Sequence, residues 1–208
     1  MATLSHEHKF FFIHVEKTGG SSVNTVLMNS GHLNKDVDIL KKTGIINFKQ
    51  PQFRGTEYYG GDRGAQECIE LFGDDIWDEY FTFAFVRNPW DRMYSWYRYL
   101  INDGAMTADI SLKTWLLNYN FKGRMKQTTY FLDKDGKNRM KFLGRYENLQ
   151  ADFDKICNTL NFPTQKLPHI NKSPNKLPYY EFYNIETKSV VSKIFAEEIK
   201  LLEYEYGP

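Results

Sequence analysis

Two continuous apolar runs constrain this chain more than any other feature: KFFFIHV (Lys9–Val15) and YFTFAFV (Tyr80–Val86). Neither alternates in polarity, which suits strands buried on both faces of a sheet. Each run leads into a marked turn and then a helical pattern. EKTGGSS follows the first, with Val23, Val26 and Leu27 at helical spacing up to a stop at Gly31. RNPW follows the second, with Pro89 placed to open a helix in its first turn. In that helix Trp90, Met93, Tyr94, Tyr97 and Ile101 form one apolar stripe, which turns Arg92, Ser95 and Tyr99 away from the main core contact. Strand, turn and helix occurring twice predict an α/β fold with a mostly parallel central sheet between two layers of helices and right-handed crossovers. Ligands of such sheets sit beyond the carboxyl ends of the strands, where both turns fall.

The rest of the chain fits that frame. Met140–Arg145 reads as a third strand, followed by a helix from about Asn148 to Leu160. Further helices are expected over Gly64–Phe72, Ser111–Tyr119 and Ile185–Tyr204, with a short strand at Gly44–Phe48. QPQFRGTEYYGGD reads as loop and DKDGK as a turn. The proline-punctuated FPTQKLPHINKSPNKLPYY is long for a structureless connection and is therefore expected to be functional. A length of 208 residues is most economically a single domain, 1–208, with a core that needs no disulfide or metal. Cys68 and Cys157 lie in helical patterns and read as reduced core fillers.

A formal charge of +1 excludes a general basic surface for nucleic acid, so anionic ligands fall to local clusters. No apolar run approaches the roughly 20 residues of a membrane span, and the N-terminus lacks a signal peptide's basic start. A cytoplasmic protein is expected; a fragment trimmed from a membrane-anchored parent in the Golgi lumen would read the same way.

Two segments have the chemistry of anion sites. In EKTGGSS, Gly19 and Gly20 let backbone N–H groups approach a ligand, and a helix N-terminus favours an anion. Lys17 adds a full charge, and Thr18, Ser21 and Ser22 add hydroxyls. The structural alternative is an ordinary strand-to-helix turn with a serine cap. The segment is not a Walker A loop, in which the lysine follows the glycines. In RNPWDRMYSWYR, Arg87 lies in the turn, where its guanidinium can fork onto a phosphate, and Ser95 sits two turns on. The alternative there is a solvated helix face with Asp91 paired to Arg98.

In this order the segments resemble those of PAPS-dependent sulfotransferases (PAPS is 3′-phosphoadenosine 5′-phosphosulfate), in particular Golgi-type carbohydrate sulfotransferases and their small bacterial relatives. FFIHVEKTGGSSV is similar to the family's 5′-phosphosulfate loop and FAFVRNPWDRMYSWYRYL to its 3′-phosphate segment. The likeness continues through QTTYFLDKDGKNRMKFLGRYENLQADF and LPHINKSPNKLPYYEFY, from about Lys9 to Tyr206, and is weakest over residues 32–61. It implies a P-loop-like sulfotransferase fold, PAPS as co-substrate, PAP as product and no metal. Lys17 would bind the bridging oxygen and the phosphosulfate. Thr18, Gly19, Gly20, Ser21 and Ser22 would surround the 5′-phosphate, and Arg87 and Ser95 would hold the 3′-phosphate. Tyr146 would lie near the adenine, with a core aromatic as the alternative, and Lys172 and Ser173 would belong to a segment folding over the nucleotide.

The chain departs from the family's pattern at GGDRGAQECIE, where many relatives carry a histidine as general base and Asp62 stands here. Asp62 is the preferred base; Glu16, His14 and His169 are the alternatives, with Glu16 also able merely to orient Lys17. The acceptor implied is a hydroxyl of a sugar or a small polar molecule. Tyr58, Tyr59, Trp115, Tyr179 and Tyr180 are candidates for stacking on it, and equally candidates for the core. A P-loop kinase and a non-catalytic nucleotide-binding relative are the competing readings.

Overall fold

The computed structural model describes residues 2–5, 8–29, 64–119, 125–168 and 177–207. Asp62, His169, Lys172, Ser173, Tyr58, Tyr59, the Gly31 stop, the Gly44–Phe48 strand and the QPQFRGTEYYGGD loop lie outside them. The chain divides into two compact units, Met1–Val86 with Thr128–Ile170, and Arg87–Gln127 with Asn171–Pro208.

Among the described residues the first unit is built on a four-stranded sheet: β1 (Ala2–Ser5), β2 (Phe10–Ile13), β3 (Phe81–Val86) and β4 (Phe142–Arg145), neighbours in that order. β1 runs antiparallel to β2, while β2, β3 and β4 are parallel, with Ile13 opposite Ala84 and Val86 opposite Arg145. Every residue of β2 is buried, as an unbroken apolar run demands. Phe10, Phe12, Phe83 and Phe85 face one layer, made by Val23, Val26 and Leu27 of α1 (Gly20–Asn29) and Phe153, Ile156 and Cys157 of a helix at Leu149–Thr159. Phe11 faces the other, against Phe72 at the end of α2 (Ala65–Phe72), Trp77 of α3 (Asp74–Glu79) and Tyr80. The α/β fold with helices on both faces of a mostly parallel sheet is therefore as expected. Cys68 and Cys157 are buried and form no disulfide, as core fillers should.

The second unit is helical. Its α4 (Pro89–Asn102) starts on Pro89, with Asn88 Oδ1 accepting from Trp90 N at 3.1 Å. It packs with α5 (Leu112–Asn118), a 3-10 turn at Tyr179–Phe182 and α8 (Ile185–Ile194), and α8 packs in turn with α9 (Ala196–Leu201). Between α5 and α8 in the chain come two helices of the first unit, α6 (Thr128–Phe131) and α7 (Leu149–Thr159).

Two expectations need correction. The C-terminal helix is two helices, broken at Phe195, whose side chain is buried. Arg92 does not face away from the core: it is fully buried, its Nη1 donates to the Met125 carbonyl, and its guanidinium lies over the Trp96 ring. A stripe of apolar residues locates a helix face, yet a guanidinium with a carbonyl and a ring to meet is also accommodated inside. Of the two readings of Trp115, stacking on the acceptor or packing in the core, burial against Tyr97 and Tyr119 favours the core.

Candidate active site

In a parallel array the chain leaves every strand at the same edge. His14 and Tyr146 follow β2 and β4 at the carboxyl edge of the sheet, where Val86 ends β3. Between β2 and α1 the backbone must reverse within a few residues. Lys17 does so in the left-handed conformation, at φ +66°, and Gly19 follows at φ +85°. A lysine gains nothing sterically from that conformation, which costs an L-residue roughly 1–2 kcal/mol, so the surrounding structure must impose it.

What imposes it can be named. The Thr18 hydroxyl, buried, donates to the Val15 carbonyl at 2.8 Å and closes the turn from within. Gly19 lies against the next layer: a methyl there would sit 2.6 Å from Leu149 Cδ2 and 3.2 Å from Tyr146 Cδ2. Gly20 lies under the His14 imidazole, which leaves no room for a side chain. The His14 ring in turn stacks on Phe12, with centroids 6.0 Å apart. Ser22 N donates to Gly19 O at 3.0 Å, so the first closed turn of α1 begins there. The amides just before it have no carbonyl one turn upstream within the helix, the usual condition for anion binding. Ser21 and Ser22 are half-buried at that turn, as are Glu16 and Lys17 before it.

Tyr146 is thus brought to the glycine loop through its 3-10 turn, Tyr146–Asn148, half-buried rather than enclosed in the core. Beside α1's first turn an open cleft of about 520 Å³ is lined by Ser22, Leu149, Gln150, Asp154, Gln165 and Leu167, among others. Gln150 shapes its wall, donating from Nε2 to the Gln165 carbonyl at 3.0 Å and accepting from Leu167 N at 2.8 Å.

In the second unit the segment carrying Arg87 is held just as firmly. Arg87 is only 3% exposed, and its Nε and Nη2 reach Asp91 Oδ2 at 2.8 and 2.7 Å. Asp91 is therefore Arg87's partner, where the surface alternative paired it with Arg98. Ser95, one turn beyond Asp91, is half-buried. Asn88 caps α4 and donates from Nδ2 to the Glu205 carbonyl at 2.8 Å. Loss of solvent and then the Asp91 charge push the Tyr183 hydroxyl well above its ordinary 10.0. Tyr183 Oη donates to the Trp90 carbonyl at 2.8 Å. Tyr179 and Tyr180, offered as stacking residues, are tied to the C-terminal tail: Tyr179 Oη donates to Gly207 O and the Tyr180 carbonyl accepts from Tyr206 Oη. Among the described residues no group of three or more His, Cys, Asp or Glu could hold a metal ion, and no helix is long and apolar enough to cross a membrane.

A mostly parallel sheet with a lysine-bearing glycine turn at its carboxyl edge and a helix opening behind it defines an α/β protein. The family follows from comparison: a model of the sulfotransferase family matches residues 1–205, and the chain belongs to that family of transferases. No curated protein matches significantly. Among solved structures the chain is similar to a sulfotransferase from Alicyclobacillus acidocaldarius, at 18% identity over 95% of this chain and 96% of that one, with a TM-score of 0.46.

Proposed function

We propose that this sulfotransferase takes its sulfuryl group from PAPS and delivers it to a hydroxyl of a carbohydrate or another small polar acceptor, releasing PAP. The observation that carries the reading is Lys17, forced into the left-handed conformation at the tip of a turn whose glycines pack against Tyr146, Leu149 and His14. A strained lysine ahead of a helix start puts one full positive charge beside a row of backbone donors. That donor set suits a phosphosulfate, whose leaving oxygen gains charge as the S–O bond breaks.

In the reaction proposed, the acceptor oxygen bonds to sulfur in line with the departing oxygen. The electron pair of the broken S–O bond goes to the 5′-phosphate, and the acceptor's proton goes to a base. Lys17 would neutralise the charge growing on the bridging oxygen, with Thr18, Gly19, Gly20, Ser21 and Ser22 around the 5′-phosphate. Arg87 and Ser95 would bind the 3′-phosphate, Tyr146 would lie beside the adenine, and Lys172 and Ser173 would cover the nucleotide. Asp62 is the base we favour. Of the alternatives, Glu16 adjoins Lys17 in the chain, and His14's packing over Gly20 gives it a structural task already. By analogy with phosphoryl transfer, most of the rate comes from positioning and charge stabilisation; the family resemblance implies that Lys17 and the backbone donors supply the latter without a metal. Both compact units are assigned to one sulfotransferase domain, 1–208, supported by the family match running through both.

The test is transfer of label from ³⁵S-PAPS to a broad panel of neutral glycans and small hydroxyl compounds, with magnesium and ATP as a control. Labelled product and PAP formed together support the reading. Failure to bind PAP would overturn it, and transfer from ATP would replace it with a kinase.

A further inference from the structure

Gln127, 40 residues from Arg87 in the chain, meets it as a neighbouring strand would. Its side-chain Oε1 accepts from Arg87 N at 2.7 Å, and its Nε2 donates to Arg87 O at 2.9 Å. Glu198 of α9 holds Gln127 in turn, its Oε2 accepting from Gln127 N at 2.6 Å and its Oε1 from Gln127 Nε2 at 2.5 Å. Gln127 is 0% exposed and Glu198 1%.

This arrangement admits one orientation of the amide. Both Nε2 hydrogens are committed to acceptors, Arg87 O and Glu198 Oε1, and Oε1 faces a donor. Flipping the amide would set oxygen against two acceptors and NH₂ against an N–H, three opposed contacts in a buried place. The Glu198 carboxylate is what enforces the choice, since only an acceptor-only group takes both Gln127 donors. The Arg87 main chain is thereby fixed on both its N–H and its C=O, while Asp91 fixes the guanidinium.

We propose that Gln127 and Glu198 are positioning residues for donor recognition, acting through Arg87 to set where its guanidinium meets the 3′-phosphate. The proposal rests on the reading of Arg87 given above. Neither residue touches the nucleotide in this scheme; their effect is confined to the ligand group that Arg87 reads.

Calorimetry on the full chain, comparing PAP with 5′-AMP, which lacks the 3′-phosphate, tests it. In Gln127→Glu a carboxylate opposes both Arg87 O and Glu198, and in Glu198→Gln an NH₂ opposes one Gln127 donor. In these variants PAP affinity is expected to fall about tenfold or more, with 5′-AMP affinity held within about twofold, because displacing one recognition group leaves the other contacts intact. KM for PAPS should rise in parallel while kcat stays near the wild-type value. Should either single variant fail to fold, the swap Gln127→Glu/Glu198→Gln serves. It restores the pairing of the two positions, since the amide introduced by Glu198→Gln donates to the new carboxylate and still accepts from the main chain, and leaves only Arg87 O opposed. Equal loss of both ligands, or an undiminished preference for PAP in a folded variant, would overturn the positioning role while leaving Arg87's own role standing. A wild type that binds PAP and 5′-AMP alike would overturn the Arg87 reading itself, and this proposal with it.

Discussion

Arg87 sets two of its nitrogens, Nε and Nη2, on a single oxygen of Asp91, one helical turn away, and the pair is almost wholly withdrawn from water, at 3% and 13% exposure of the two side chains. A buried cation cannot stay charged cheaply without such a partner. Asp91→Ala is therefore expected to destabilise the protein by about 3 kcal/mol, the lower end for breaking a buried pair because Asp91 keeps some solvent. Urea titration measures this as a lower midpoint at unchanged slope. A loss below about 1 kcal/mol, the range of an exposed pair, would show that Arg87 does not depend on Asp91.

Gly20 is confined by the ring above it. Gly20→Ala would drive a methyl into the His14 imidazole, an overpacking expected to cost about 1–3 kcal/mol. In a His14→Ala background the same change should be neutral or slightly stabilising, since alanine is the better helix former at the start of α1. A double-mutant cycle by chemical denaturation isolates the coupling. Additive effects would show that the ring yields without cost.

How much of this could be read from the chain follows from what each signal depends on. β2 and β3 were legible because burial on both faces leaves a strongly apolar run, Phe10–Ile13 in one and Phe81–Val86, interrupted only by Thr82, in the other. β1, the antiparallel neighbour of β2, was not: ATLS is only four residues long, and its apolar–polar alternation is too brief to stand out, while Thr3 and Ser5 are buried despite their hydroxyls. α3 was missed because DDIWDE hides one buried tryptophan among four acids. The glycine turn declared itself through composition, but the left-handed Lys17 did not, since nothing in a lysine marks its φ. Gln127 and Glu198 had no signal at all, for their meaning comes from a contact across 71 residues. Local pattern reveals elements and turns; the residues that hold a functional side chain in place are set by tertiary contact.

Alkaline pH should loosen the second unit. Desolvation raises the Tyr183 hydroxyl well above 10.0, and raises Tyr94, Tyr179 and Tyr206 as well. A raised acid favours the neutral form in the fold, so its contribution is complete below the unfolded value of 10.0 and is lost as pH rises past it. Tyr183 alone would then remove about 1.4 kcal/mol per pH unit. Tyr183→Phe should cost about 1 kcal/mol at neutral pH, by leaving the Trp90 carbonyl without its donor, and flatten the alkaline fall. Urea midpoints from neutral pH to about pH 11 check both. An alkaline slope identical in the two proteins would place the sensitivity elsewhere.

Lys17 separates function from stability more sharply than any other residue. If its charge meets the leaving oxygen, removing it should lower turnover by on the order of 100- to 1,000-fold, as loss of one transition-state donor commonly does. Its left-handed backbone makes the accompanying stability change depend on the replacement. Lys17→Ala keeps the steric cost of φ +66° and should leave the melting temperature nearly unchanged. Lys17→Gly removes that cost but makes the unfolded chain more flexible, for a net gain of roughly 0.5–1 kcal/mol. The glycine variant is thus expected to be the more stable protein and an inactive one, the signature of strain maintained for the reaction. Thermal melts beside ³⁵S transfer assays decide it. Turnover near the wild-type rate in either variant would take Lys17 out of the mechanism, and a glycine variant less stable than the alanine one would show that the turn holds lysine without strain.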